Sequence, residues 1–76
     1  MNTKERISAL ESRQLELRDT MAKSDAHAAK CVKTGRSFQE EYPSEYSDYL
    51  AANEEFNANE TILQTLREEV EKEEEI

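Results

Sequence analysis

Few side chains in this sequence could carry reactive chemistry, and the most suggestive pair stands close together. His27 precedes Cys31 by four residues, a spacing that sets an imidazole and a thiol one turn apart on a shared helix face. Such a pair could begin a zinc site or an activated thiolate. Structural zinc takes four ligands, and no C-x-x-C or second histidine accompanies these two. A Cys–His nucleophile needs a third group to orient the base and donors for an oxyanion, and a single helix offers neither. The pair therefore reads as a surface histidine beside a partly buried thiol, with no metal, cofactor or catalytic residue expected.

Other chemistries are also poorly served. The carboxylates Glu68, Glu69, Glu71, Glu73, Glu74 and Glu75 form a repetitive run, which reads as a solvated face. A chain with one glycine has no loop to cradle phosphate. No enzyme is expected.

A basic cluster, Lys30, Lys33 and Arg36, adjoins Phe38 and Tyr42. Cations interleaved with aromatics can grip single-stranded nucleic acid. Three charges are few, however, and the segment that follows is acidic enough to repel phosphate. Direct nucleic-acid binding is thus disfavoured. Two readings remain for the cluster. It compensates a helix dipole and packs a turn, or it forms a protein-binding tip of Lys33, Arg36, Phe38, Tyr42 and Tyr46, residue types that concentrate interface energy.

The elements that position these residues follow from composition and spacing. The chain has 76 residues, 37% of them charged, with one glycine and one proline, the profile of long helices. Asn2 and Glu5 make a capping box, and nothing from Lys4 to Thr34 interrupts a helix. A heptad written from Ile7 places Ile7, Leu10, Gln14, Leu17, Met21, Ser24, Ala28 and Cys31 on one stripe. Gly35 stands where a left-handed C′ residue belongs. Ser37 to Glu40 could cap a single turn before Pro43, and Ser44 is expected to cap the second helix. Its stripe is Tyr46, Tyr49, Leu50, Phe56, Leu63, Leu66 and Val70, interrupted by Asn53 and Asn59. The Asn59-Glu60-Thr61 sequon reads as chance.

The predicted architecture is all-α: one domain over 1–76, an antiparallel two-helix hairpin, coiled-coil-like. Helix one runs over about 3–34, a turn over 35–43, helix two over about 44–72, and a frayed acidic tail over 73–76. Folding near residue 40 would set Leu10 by Val70, Leu17 by Leu63, Ser24 by Phe56 and Cys31 by Tyr49 or Tyr46. Charge agrees with pairing. Residues 1–36 carry eight Lys/Arg against five Asp/Glu, and residues 37–76 carry two against thirteen, which sums to the net −8.

A hairpin this small buries little apolar area, and apolar residues remain off the seam. Leu15, Ala22, Ala26 and Ala29 on helix one, with Ala51, Ala58 and Ile62 on helix two, are the expected oligomer face, giving a helical bundle by self-association. The expected function is a non-catalytic protein–protein interaction or assembly module, dimeric or bound to a protein partner. The alternative is an acidic, nucleic-acid-mimicking inhibitor of the phage-encoded type, blocking a basic groove. One cysteine, no apolar run that spans a bilayer and no leader-like segment give the expectation of a cytoplasmic protein without membrane association.

Overall fold

Asn2 opens the first helix by its side chain. Its Oδ1 accepts the backbone N–H of Glu5 at 2.8 Å, while its amide nitrogen donates to the Glu5 carboxylate at 3.1 Å. That satisfies one of the donors a helix start leaves orphaned. In the computed structural model, which describes residues 2–74, α1 then runs over Thr3–Lys33, a short α2 over Phe38–Glu41 and α3 over Pro43–Glu74. The described residues are all-α, and α1 and α3 lie antiparallel in a hairpin measuring 58 × 19 × 14 Å.

The end of α1 is a Schellman turn. The Arg36 N–H reaches the Cys31 carbonyl at 2.8 Å and the Gly35 N–H reaches Val32 at 3.2 Å. This closure requires a left-handed residue, and Gly35 supplies it at φ +69°. Ser37 precedes α2 without a side-chain capping bond, so the capping box predicted there does not form. Tyr42 does double duty: its N–H donates to the Phe38 carbonyl, and its own carbonyl accepts from Tyr46 at 2.8 Å. Pro43 therefore sits at the first position of α3, where a missing N–H costs nothing. Ser44 is inside the helix and does not cap it. At the far end α3 stays helical through Glu74; the rest of the expected frayed tail, residues 75 and 76, lies outside the described residues.

The buried apolar residues are Leu17, Cys31, Ala52, Leu63 and Leu66. Leu63 is 1% exposed, a burial worth about 2 kcal/mol. The α3 seam differs from the sequence expectation in one respect. Ala52 and Asn59 are buried, whereas Leu50 is left 48% exposed. Glu45, Ala52, Asn59 and Leu66 recur every seven residues, and that row faces α1. Leu50 attracted the prediction by its hydrophobicity, yet, two residues before Ala52, it lies on the outer side of α3.

The register also differs. Ser24 meets Glu45 instead of Phe56, and Gln14 meets the Phe56 carbonyl and Asn59. In its central part α3 is displaced by about two to three turns from the symmetric fold. Folding about a midpoint assumed equal use of both helices, and buried polar groups decide otherwise.

Gly35 has nothing within 4 Å of where a Cβ would stand. Gly35→Ala is expected to cost about 1–2 kcal/mol through backbone conformation alone, read as a lowered denaturation midpoint at unchanged slope. Gly35→Asn should lose less, because asparagine tolerates this region better.

Candidate functional site: the polar seam, the aromatic tip and two apolar flanks

Gln14, Ser24 and Asn59 are buried inside a mostly apolar seam, where an unpaired polar group costs about 1–3 kcal/mol. Each finds a partner. Gln14 Nε2 donates to the Phe56 carbonyl and to Glu60 Oε1, both at 3.0 Å, and its Oε1 accepts from Asn59 Nδ2 at 3.1 Å. The Phe56 carbonyl already belongs to the α3 ladder and uses its second lone pair here. Asn59 Nδ2 also reaches Glu55 at 3.4 Å, and Glu55 clamps Arg13 through two bonds at 2.6 and 2.9 Å. A belt of side chains thus crosses the hairpin from Arg13 on one flank to Glu60 on the other. The sequon asparagine is consumed by it.

A second polar station lies nearer the turn. Ser24 Oγ donates to Glu45 at 3.3 Å, and His27 Nδ1 lies 2.8 Å from both Glu45 oxygens. Facing two acceptors, Nδ1 carries the proton. Every buried side-chain nitrogen and oxygen among the described residues has a partner.

His27 therefore points at α3, away from a joint site with Cys31, which is buried. Among the described residues no three His, Cys, Asp or Glu side chains are placed to hold a metal. The His27 ring stacks on Tyr42 with centroids 5.0 Å apart and planes 8° from parallel. Phe38 leans on Tyr42 at 5.9 Å and meets Tyr46 edge-on at 6.0 Å. The three tip aromatics thus form a small cluster over the closed end, with Phe38 and Tyr46 half-buried and Tyr42 at the surface. Arg36 turns to Glu41 at 3.7 Å, and Lys33 is exposed. The structure brings Phe38, Tyr42 and Tyr46 together with His27, which the sequence reading had kept apart from them.

Leu15, Ala22, Ala26, Ala29, Ala51, Ala58 and Ile62 are all exposed, and the structure divides them. Leu15 lies in a groove with Glu11, Arg18, Glu60 and Arg67 on one flank; Ala22 and Ala29 follow it at seven-residue intervals. Ala51 lies in a groove with Arg13, Thr20, Asp48 and Glu55 on the opposite flank, followed at seven residues by Ala58. Ile62, a heptad beyond Glu55, also falls there. Ala26 stands between buried Ser24 and Ala28, hence on the outer side of α1. What reads in one dimension as a single oligomer face is two flanks.

No family model, no curated protein and no solved structure matches the chain. Among the described residues no helix is long and apolar enough to cross a membrane.

Two outcomes are expected. Asn59→Ala leaves buried Gln14 short of a partner and should cost about 1–3 kcal/mol. Gln14→Leu with Asn59→Leu should recover that loss in denaturation, while spin-label distances across the hairpin broaden as the helices lose a unique register. The second outcome concerns pH. The Arg13 hydrogen bond holds the Glu55 carboxyl below its ordinary value, so the folded state binds this proton less readily than the unfolded one. That stability is present above the ordinary carboxylate range and is lost as pH falls through the folded value. The midpoint should drop on acidification, and Glu55→Gln should flatten part of that slope. Both side chains are about half exposed, so added salt should shrink the difference.

Proposed function

We propose that this chain is a non-catalytic protein–protein interaction module, a helical hairpin that binds through its apolar flanks and its aromatic tip. The reading is supported above all by the exposure of large apolar side chains on a molecule with so few buried ones. Leu15, Val32, Leu50 and Ile62 all face solvent, against five buried apolar residues that include one alanine and one cysteine. Scattered single exposures are ordinary; recurrence on the flanks of a rod is what binding surfaces look like. Tyr42 adds an aromatic with one ring face held by His27, an anchor whose rotamer entropy is already reduced. The surface depressions are open grooves along the helices and favour elongated partners over small substrates.

The acidic-decoy reading calls for an α3 face of unpaired carboxylates. Glu45, Glu55 and Glu74 are engaged by His27, Arg13 and Lys4, which takes three carboxylates out of that face and supports the interaction module over the decoy. Quantitative affinity capture of the full chain from the cells that make it separates the two. An interaction module should retain its partners between ~0.1 and ~0.5 M salt and lose them with Leu50→Glu or Tyr42→Ala. Partners shed by salt but indifferent to both substitutions would establish the decoy, and no enrichment over an unrelated tagged hairpin would end the interaction-module reading.

A further inference from the structure

Arg18 and Asp25 lie seven residues apart on the flank that carries Leu15, and neither has an ion-pair partner among the described residues. Arg18 rests over the Phe56 ring, 5.8 Å from its centroid. Asp25 is exposed and a heptad beyond Arg18, so the two share one longitudinal row. Ala22 stands midway between them in the neighbouring row, with Leu15 seven residues before it and Ala29 seven after. Val32 continues the charged row beyond Asp25 and is 78% exposed; Leu15 is 64% exposed. From α3, Leu50 belongs to this flank: it shares its row with Gln64, which lies beside Glu60 and Arg67. Its level is close to that of Ala22, because Ser24 meets Glu45 and Thr20 lies beside Asp48 and Ala51.

We propose that this flank docks on the same flank of a second copy of the chain, antiparallel, about a two-fold axis passing beside Ala22 and Leu50. The inference rests on the interaction-module reading and commits its principal flank to one occupant. An axis at Ala22 reverses the sequence order across the interface. Arg18 then faces Asp25 of the second copy, and Asp25 faces its Arg18. Leu15 faces Ala29, a large side chain opposite a small one. Ala22 meets Ala22, permitting close approach of the two α1 helices, and Leu50 meets Leu50 beside it. A two-fold interface must be self-complementary in this way. A flank chosen without regard to symmetry would set like charges against each other as often as opposite ones.

The area is adequate. Overlap from about Glu11 to Lys33 runs ~34 Å along α1, and the hairpin is 19 Å wide. The projected patch is on the order of 650 Å², comparable to the ~800 Å² of accessible surface per partner in a standard stable interface. Exposed ion pairs add little affinity but fix orientation and register, so the apolar rows hold the dimer and the Arg18–Asp25 pairs select its direction.

Sedimentation equilibrium on the intact chain, at micromolar concentrations, tests this. The expected mass is twice that of the chain. Arg18→Asp alone should weaken association on the order of ten- to hundredfold, as should Asp25→Arg alone, and the two combined should restore it. Both sites are exposed, so helical circular dichroism should be unchanged in all three. In a Cys31→Ala background, Ala22→Cys should yield a disulfide-linked dimer under air oxidation, and Ala58→Cys, on the other flank, should not. A single-chain mass for the unmodified protein overturns the proposal, as does a dimer that the combined charge swap fails to restore or that Ala58→Cys cross-links in place of Ala22→Cys. A single-chain mass together with partner capture that is lost on Leu50→Glu removes the self-docking and leaves the interaction module standing. A single-chain mass with no captured partner removes both.

Discussion

A glutamine inside the seam governs this hairpin. Gln14 carries two donors and an acceptor into the buried face between the helices, and the interface is stable only where α3 offers a carbonyl, a carboxylate and an amide in the right places. One longitudinal setting of the helices provides all three. Apolar contacts, such as that of Leu17 beside Ala52, have no directional requirement and tolerate sliding along the seam. The Gln14–Asn59 contact does not. The Ser24–Glu45–His27 station repeats the constraint nearer the turn, so the register is held at two points and rotation is held along with it.

The closed end is built around that register. α3 begins further from the closed end than a symmetric fold would place it, so the chain between Gly35 and Pro43 runs back along α1, and α2 forms one helical turn of that return. Phe38, Tyr42 and Tyr46 stack on one another and on His27 to cover the end of the seam, which small residues such as Ala28 leave thin. The aromatic tip is therefore structural on its inner side and presents Tyr42 on its outer side. The two roles share one set of side chains, and a binding surface held by the fold loses less entropy on docking.

Outside the seam the hairpin has two unlike flanks. One carries the Arg13–Glu55 clamp, with Ala51, Ala58 and Ile62 around it. The other carries Leu15, Ala22, Ala29, Val32 and Leu50, with a cation and an anion symmetrically disposed. Part of the charge polarity between the two halves of the chain is used inside the hairpin, where Lys4, Arg13 and His27 meet Glu74, Glu55 and Glu45 of α3. What remains for a partner is apolar relief on the flanks together with the exposed acids of α3, Asp48, Glu54, Glu68, Glu69, Glu71 and Glu73.

Helix content, the single reversal at Gly35 and the opposed charges of the two arms were legible in one dimension, because each depends on neighbours within a few residues or on composition. Periodicity marked Leu17, Leu63 and Leu66 as seam residues for the same reason. Register was not legible: the apolar stripe repeats every heptad, so several alignments bury similar area and differ only in which polar groups meet. Nor was the division of the alanine rows between flanks, since the position of a residue relative to a second helix depends on rotation about the seam. Leu50 and Ala52 show the limit most plainly. They stand two residues apart on α3, and because Asn59 must face Gln14 the rotation that keeps Ala52 inward carries Leu50 out. Local chemistry determined the rods and where they turn; the pairing of buried polar groups across them, a property of the folded chain alone, decided which faces were left for others to bind.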